Sequence, residues 1–164
     1  EKMQNFAQEY DIFLQMYPLI KSLCDESEEK ENMYMQKLWS LVFNDDLEPD
    51  EIHPIVNAAP LTLIYKLLIP DQCEFIKMVK YIQKCCEENV HYALEVNRSN
   101  LPSLLLKSIE DYRMILKQDS KFNLLIDLFS YLSSFSMKSK DIISFFHNFS
   151  ALSGNFRPYF TFDL

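Results

Sequence analysis

The sequence predicts an all-α fold, an armadillo- or HEAT-like α-solenoid segment of stacked helices, and three observations carry that prediction. Glycine occurs once in 164 residues, at Gly154, where average usage of roughly 7% would place about eleven. Apolar residues, 48% of the chain, recur at steps of three and four, which is the spacing of one face of a helix. No alternation of apolar and polar residues runs long enough to make a strand. A closed bundle is the competing arrangement, but it needs its longest helices to be similar in length. Short and long helices alternating, with prolines between them, fit stacked pairs or triplets better. The apolar stripes beginning near Phe75 and Phe122 lie 47 positions apart, one interval of the size found in armadillo-type arrays.

The first helix runs from Met3 to Cys24, with Phe6, Tyr10, Phe13, Leu14, Tyr17 and Ile20 on its stripe. Pro18 lies inside it and should kink or break it near Tyr17, because proline lacks the amide donor and crowds the preceding turn. The charged stretch Asp25 to Glu31 reads as a connector. A second helix then turns Met35, Leu38, Trp39, Val42 and Phe43 inward and ends at Asn44-Asp45-Asp46. Pro49, Pro54, Pro60 and Pro70 allow only short elements in the next stretch, around Asp50 to Asn57 and Leu61 to Ile69.

Asp71 can cap the clearest amphipathic helix, in which Phe75, Met78, Val79, Ile82 and Cys86 face inward and Lys77, Lys80, Gln83 and Lys84 outward. A brief element follows from Val90 to Val96. Asn100-Leu101-Pro102 is a capping and first-turn signature for a helix through Leu104, Leu105, Ile109 and Tyr112. After a polar break at Lys117 to Ser120, the segment Phe122 to Phe135 is apolar on nearly every side, as in a central helix. Ser136 to Lys140 turns the chain into a last helix carrying Ile142, Phe145, Phe146 and Phe149. Gly154 falls just past its end, where a left-handed residue costs glycine least.

Composition narrows the functions. Without glycine-rich loops, dinucleotide and P-loop phosphate sites cannot be built. Sixteen Lys and Arg against twenty-four Asp and Glu leave a net charge of −8, which repels a phosphate backbone unless the cations cluster. Lys77, Lys80 and Lys84 come nearest, but at helical spacing before Glu87 and Glu88 they read as a solvated face. Cys24, Cys73, Cys85 and Cys86 have no framework spacing and read as reduced, intracellular thiols. The triplets Asn97-Arg98-Ser99 and Asn148-Phe149-Ser150 match the glycosylation pattern, which matters only in a secreted protein. No apolar run is long enough to span a membrane. The chain opens on Glu1 and stops inside an aromatic-rich run, which reads as one helical domain, residues 1–164, of something longer.

No constellation carries catalysis, so catalytic, cofactor-binding and metal-binding residues are all expected to be absent. His53, His91 and His147 lack metal-ligand spacing. Cys73 or Cys85 with His91 is only a formal nucleophile and base. Asp45-Asp46, Glu48, Asp50-Glu51 and Glu87-Glu88 occur in polar connectors, whereas a general acid needs an apolar cleft. The stretch Asp45 to Glu51 lacks the central glycine of an EF-hand. Phe145, Phe146, Phe149, Phe156, Tyr159, Phe160 and Phe162 read as core packing in their first half and as a surface for a neighbouring domain in their second.

The runs Phe122 to Leu132 (FNLLIDLFSYL), Ser136 to Phe146 (SMKSKDIISFF) and Asn155 to Phe160 (NFRPYF) together resemble the helical region upstream of the lectin-like domain in BEACH-domain proteins. Asn100-Leu101-Pro102 with Leu104-Leu105-Leu106 adds a weaker echo. The resemblance covers about 45 residues, mostly as apolar patterning, and residues 1 to 70 take no part in it. It implies a segment of a very large cytoplasmic scaffold bearing a lectin-like β-sandwich, PH-like and BEACH modules and a β-propeller, associated with membrane traffic. It transfers no functional residue. The expectation is a non-enzymatic scaffold segment, without cofactors, that binds protein partners or neighbouring domains and neither nucleic acid nor the membrane interior. The alternative is an independent helical adaptor or regulator outside that family.

Overall fold

Local capping starts the helices where side-chain acceptors stand before apolar runs. The computed structural model of the protein describes residues 11–43, 53–113, 120–135, 138, 139, 141–143 and 145, with backbone alone at 110–113 and 120–122. Among these, every regular element is helical: α1 Ile12–Cys24, α2 Glu28–Phe43, α3 Leu61–Leu68, α4 Gln72–Glu88, α5 Val90–Arg98, α6 Leu101–Arg113 and α7 Ser120–Phe135. Helical residues continue at 139, 141–143 and 145. Asp11 Oδ1 accepts the Leu14 amide at 3.1 Å, and Asp71 Oδ1 accepts those of Cys73 and Glu74 at 2.9 and 3.1 Å. Each satisfies amide donors that a helix start leaves without intrahelical partners. Asn89 serves two helices, its amide donating to Cys85 O at the end of α4 and its Oδ1 accepting from the His91 amide at the start of α5.

Four sequence expectations need correction. Of the kink or break expected at Pro18, the break does not occur: α1 is continuous from Ile12 to Cys24, with Pro18 exposed on its solvent side. The connector after α1 is only residues 25–27, because Ser27 Oγ accepts the Lys30 amide and Glu28, Glu29 and Glu31 complement the positive end of α2. No helix forms over 53–57. Instead the amides of Val56 and Asn57 both donate to Val42 O, at 2.9 and 3.1 Å, closing one of the carbonyls that the end of α2 leaves open. Finally, α7 is one-sided rather than apolar all round. Leu125, Leu128, Phe129 and Leu132 are buried, while Asn123, Asp127, Ser130 and Ser134 are exposed at steps of four, three and four.

The inner faces of α2 and α4 fall as their spacing predicts, with Leu38, Val42 and Phe43, and then Phe75, Met78, Val79, Ile82 and Cys86, in the core. In the last segment the expectation holds for Phe145, whose ring stacks on Phe129 at 6.2 Å. Beside it Ile142 is exposed, while Asp141 is buried and accepts a 2.7 Å hydrogen bond from Ser103 Oγ. The expected Asn44-Asp45-Asp46 helix end, the elements before Asp11, Phe146, Phe149, Gly154 and the run Asn155 to Phe160 lie outside the described residues.

One short helix organises the rest. Five consecutive residues of α3, Leu61 to Tyr65, are buried, because α3 packs against α1, α2, α4 and α6 at once. The second half gathers on α7, which packs against α4, α5 and α6. A polar seam ties the ends together: Asp11 also accepts from Thr62 Oγ1 and Asn100 Nδ2, both at 3.2 Å. Lys138 Nζ donates to Asn100 Oδ1 at 3.3 Å and to the carbonyls of Arg98 and Ser99, a cation at the negative end of α5.

Candidate interaction surface

Among the described residues, the cysteines and histidines sit in separate settings, some in the core and some on the surface. Cys85 and Cys86 are fully buried on α4. Burial pushes the Cys85 thiol up despite a hydrogen bond with Tyr81, and burial pushes Cys86 up to about 12. A nucleophilic cysteine needs its thiolate near neutral pH, and both environments act in the opposite sense. His53 approaches Cys85 through its backbone amide. His53 is buried, its ring 5.5 Å from that of Phe43, and its amide donates to Tyr81 Oη at 3.3 Å. Trp39 stacks on Phe43 and meets Tyr81 edge-on, so the cluster is a packed aromatic corner between α2, α4 and the 53–60 segment. His91 is exposed on α5. Spacing could not have paired His53 with Cys85, since the two are joined only by the fold.

No group of three or more His, Cys, Asp or Glu among the described residues is placed to hold a metal ion. Lys77, Lys80 and Lys84 are exposed along α4, and Lys77 is paired with Glu74 at 2.6 Å. Asn97 is 8% exposed, and its Nδ2 donates to Leu132 O at 2.7 Å. That nitrogen is the atom a glycan would be attached to, so the folded protein withholds the first glycosylation triplet. The carboxylates Asp45 to Glu51 and His147 lie outside the described residues. Among described residues no helix is long and apolar enough to cross a membrane.

What the surface does offer is apolar. On α1, Phe13, Leu14, Tyr17, Ile20 and Cys24 pack inward, which satisfies an ordinary amphipathic helix. A second apolar row occupies another side: Ile12 is 56% exposed, Met16 38% and Leu19 61%. These three recur at steps of four and three, so they form a single stripe on the helix; Leu23, one step of four further on, is half-buried and packs against the core. On α2, Met33 and Leu41 are exposed as well. Apolar side chains scattered singly on a surface are ordinary, but a continuous stripe over about two turns is the form in which a helix meets a partner. This stripe was missed in sequence because both apolar rows of α1 look alike until packing buries one of them.

At one end of the stripe the surface is acidic. Asp25, Glu26, Glu28, Glu29 and Glu31 are all exposed. Lys21 pairs with Asp25 at 2.9 Å and Lys30 with Glu26; in each case the side-chain hydrogen bond raises the lysine pKa. Compared with known proteins, the chain matches no family model, no curated protein and no solved structure.

Proposed function

We propose that this chain is a non-enzymatic helical scaffold segment that binds protein partners, and that its stacked helices are an armadillo-like solenoid segment of a large cytoplasmic protein of BEACH type acting in membrane traffic. The observation that carries the reading is the solvent-facing stripe of Ile12, Met16 and Leu19 on a helix whose other apolar face is already packed. The packing of α3 on α6 and of α4 on α7, each three elements along the chain, supports a period of three helices per repeat. Thiols held protonated by burial weigh against an enzyme. The independent adaptor remains the second reading, because a binding stripe of this kind serves either parent equally.

Proximity labelling in cells tests the function. The chain and a variant with Ile12→Ser, Met16→Ser and Leu19→Ser together should differ by a defined set of cytoplasmic trafficking proteins that only the wild type labels. Identical labelled sets from the two would sink the scaffold reading. Sequence flanking residues 1–164 decides the parent: BEACH and propeller modules downstream support the first reading, and flanks without them leave the adaptor.

A further inference from the structure

We infer that the α1 stripe receives a basic amphipathic helix, a partner with apolar residues at three- and four-residue steps and lysines or arginines on its flank. The inference rests on the scaffold reading and adds the chemistry of the partner. Ile12 to Leu19 spans about 10 Å of helix axis, room for about two turns of a partner helix laid along it. The anchors Ile12, Met16 and Leu19 are exposed by 38 to 61%, so their burial by a partner is still to be gained.

Charge selects among possible occupants. From Leu19 to Met33 there are five acidic and two basic residues, and both of those lysines are already paired. The local excess is therefore three negative charges, at Glu28, Glu29 and Glu31. The N-terminus of α2 offsets only about half a charge. An anionic bilayer surface would be repelled by this end of the stripe and by a net charge of −8. A second copy would bring together two chains that each carry a net charge of −8 and would supply no cations to the carboxylates. A basic helix gains from both the apolar row and the carboxylates, and its association is steered by them.

Two synthetic helical peptides test this, both with leucines at three- and four-residue steps, one with lysines and the other with glutamates at its polar positions. Fluorescence anisotropy is measured against the full chain at low and at physiological salt. The lysine peptide should bind at least tenfold more tightly than the glutamate peptide, and less tightly as salt rises. Leu19→Ser should weaken it tenfold or more, and Glu28→Gln, Glu29→Gln and Glu31→Gln together should remove most of the salt dependence. Ile143→Ser, at an exposed apolar residue elsewhere, should change nothing. All of these positions are exposed, and circular dichroism checks that each variant keeps its helix content. Equal binding of the two peptides, no binding of either, or indifference to Leu19→Ser overturns the inference. So does a dimer in sedimentation that Leu19→Ser dissolves, because the occupant is then a second copy. None of these results touches the labelling comparison by which the scaffold reading stands or falls.

Discussion

Cysteine chemistry separates the four thiols by environment alone. Cys73 is exposed at the start of α4, whereas Cys24, Cys85 and Cys86 are buried. Thiolate is the reactive form, and burial raises the pKa of all three buried thiols. A disulfide reagent added to the folded protein should therefore consume one thiol quickly and the other three only on unfolding. Raising the pH to about 9 should not bring Cys86 forward, since its thiol is pushed up to about 12. Two fast thiols in the native protein would contradict this placement. The burial of Cys86 was legible in the sequence because it continues the Phe75, Met78, Val79, Ile82 stripe. The neighbourhood of Cys85 was not, because His53 reaches it through a proline-punctuated segment whose path depends on two amides meeting Val42 O. Asn97 shows the same limit. Its triplet was visible, but the α7 carbonyl that holds its amide is 35 positions away.

Helix starts were the most legible elements, because a cap is a local device. Asp71 caps α4 through the amides of Cys73 and Glu74, a contact that needs only its own next few residues, and α6 begins at Leu101, where the Asn100-Leu101-Pro102 signature puts it. Pro18 was read less well, since tertiary packing outweighed its local penalty. The inward face of α1 packs against α2 and α3, and burial of Ile20 with partial burial of Phe13, Leu14 and Tyr17, at about 1.5–3 kcal/mol for a fully buried large apolar side chain, offsets the roughly 3 kcal/mol that an interior proline costs. That balance makes a prediction. Pro18 is exposed, so Pro18→Ala removes no core contact and restores an amide donor for Leu14 O. It should stabilise the protein by roughly 1–3 kcal/mol, read as a higher denaturant midpoint at unchanged m-value. A loss of stability would mean that the fixed φ of the proline contributes more to α1 than the missing hydrogen bond costs.

The long-range plan is where sequence reasoning stopped, for a physical reason. The all-α class follows from periodicity, but the joining of the halves rests on pairings such as Asp11 with Asn100, 89 positions apart, which no local pattern specifies. Helix α3 could be read as a short apolar element between prolines, yet nothing in its eight residues says that it touches four other helices. Because those contacts reach both halves, the described helices should unfold together rather than as separable repeats, even if the architecture is a solenoid, where stability otherwise approaches a sum of neighbour terms. Trp39 is the single tryptophan and, through its stacking on Phe43, reports the first half. Far-UV circular dichroism reports all helices. The two denaturation curves should share one midpoint. Ile64→Val, at a fully buried residue in the centre of α3, should lower stability by about 0.5–1.5 kcal/mol and move both curves equally. If fluorescence shifts while the circular dichroism transition splits in two, α1 and α2 come away from a second half that folds by itself. In that case Asp11, Asn100 and Lys138 would fasten two units together rather than complete one.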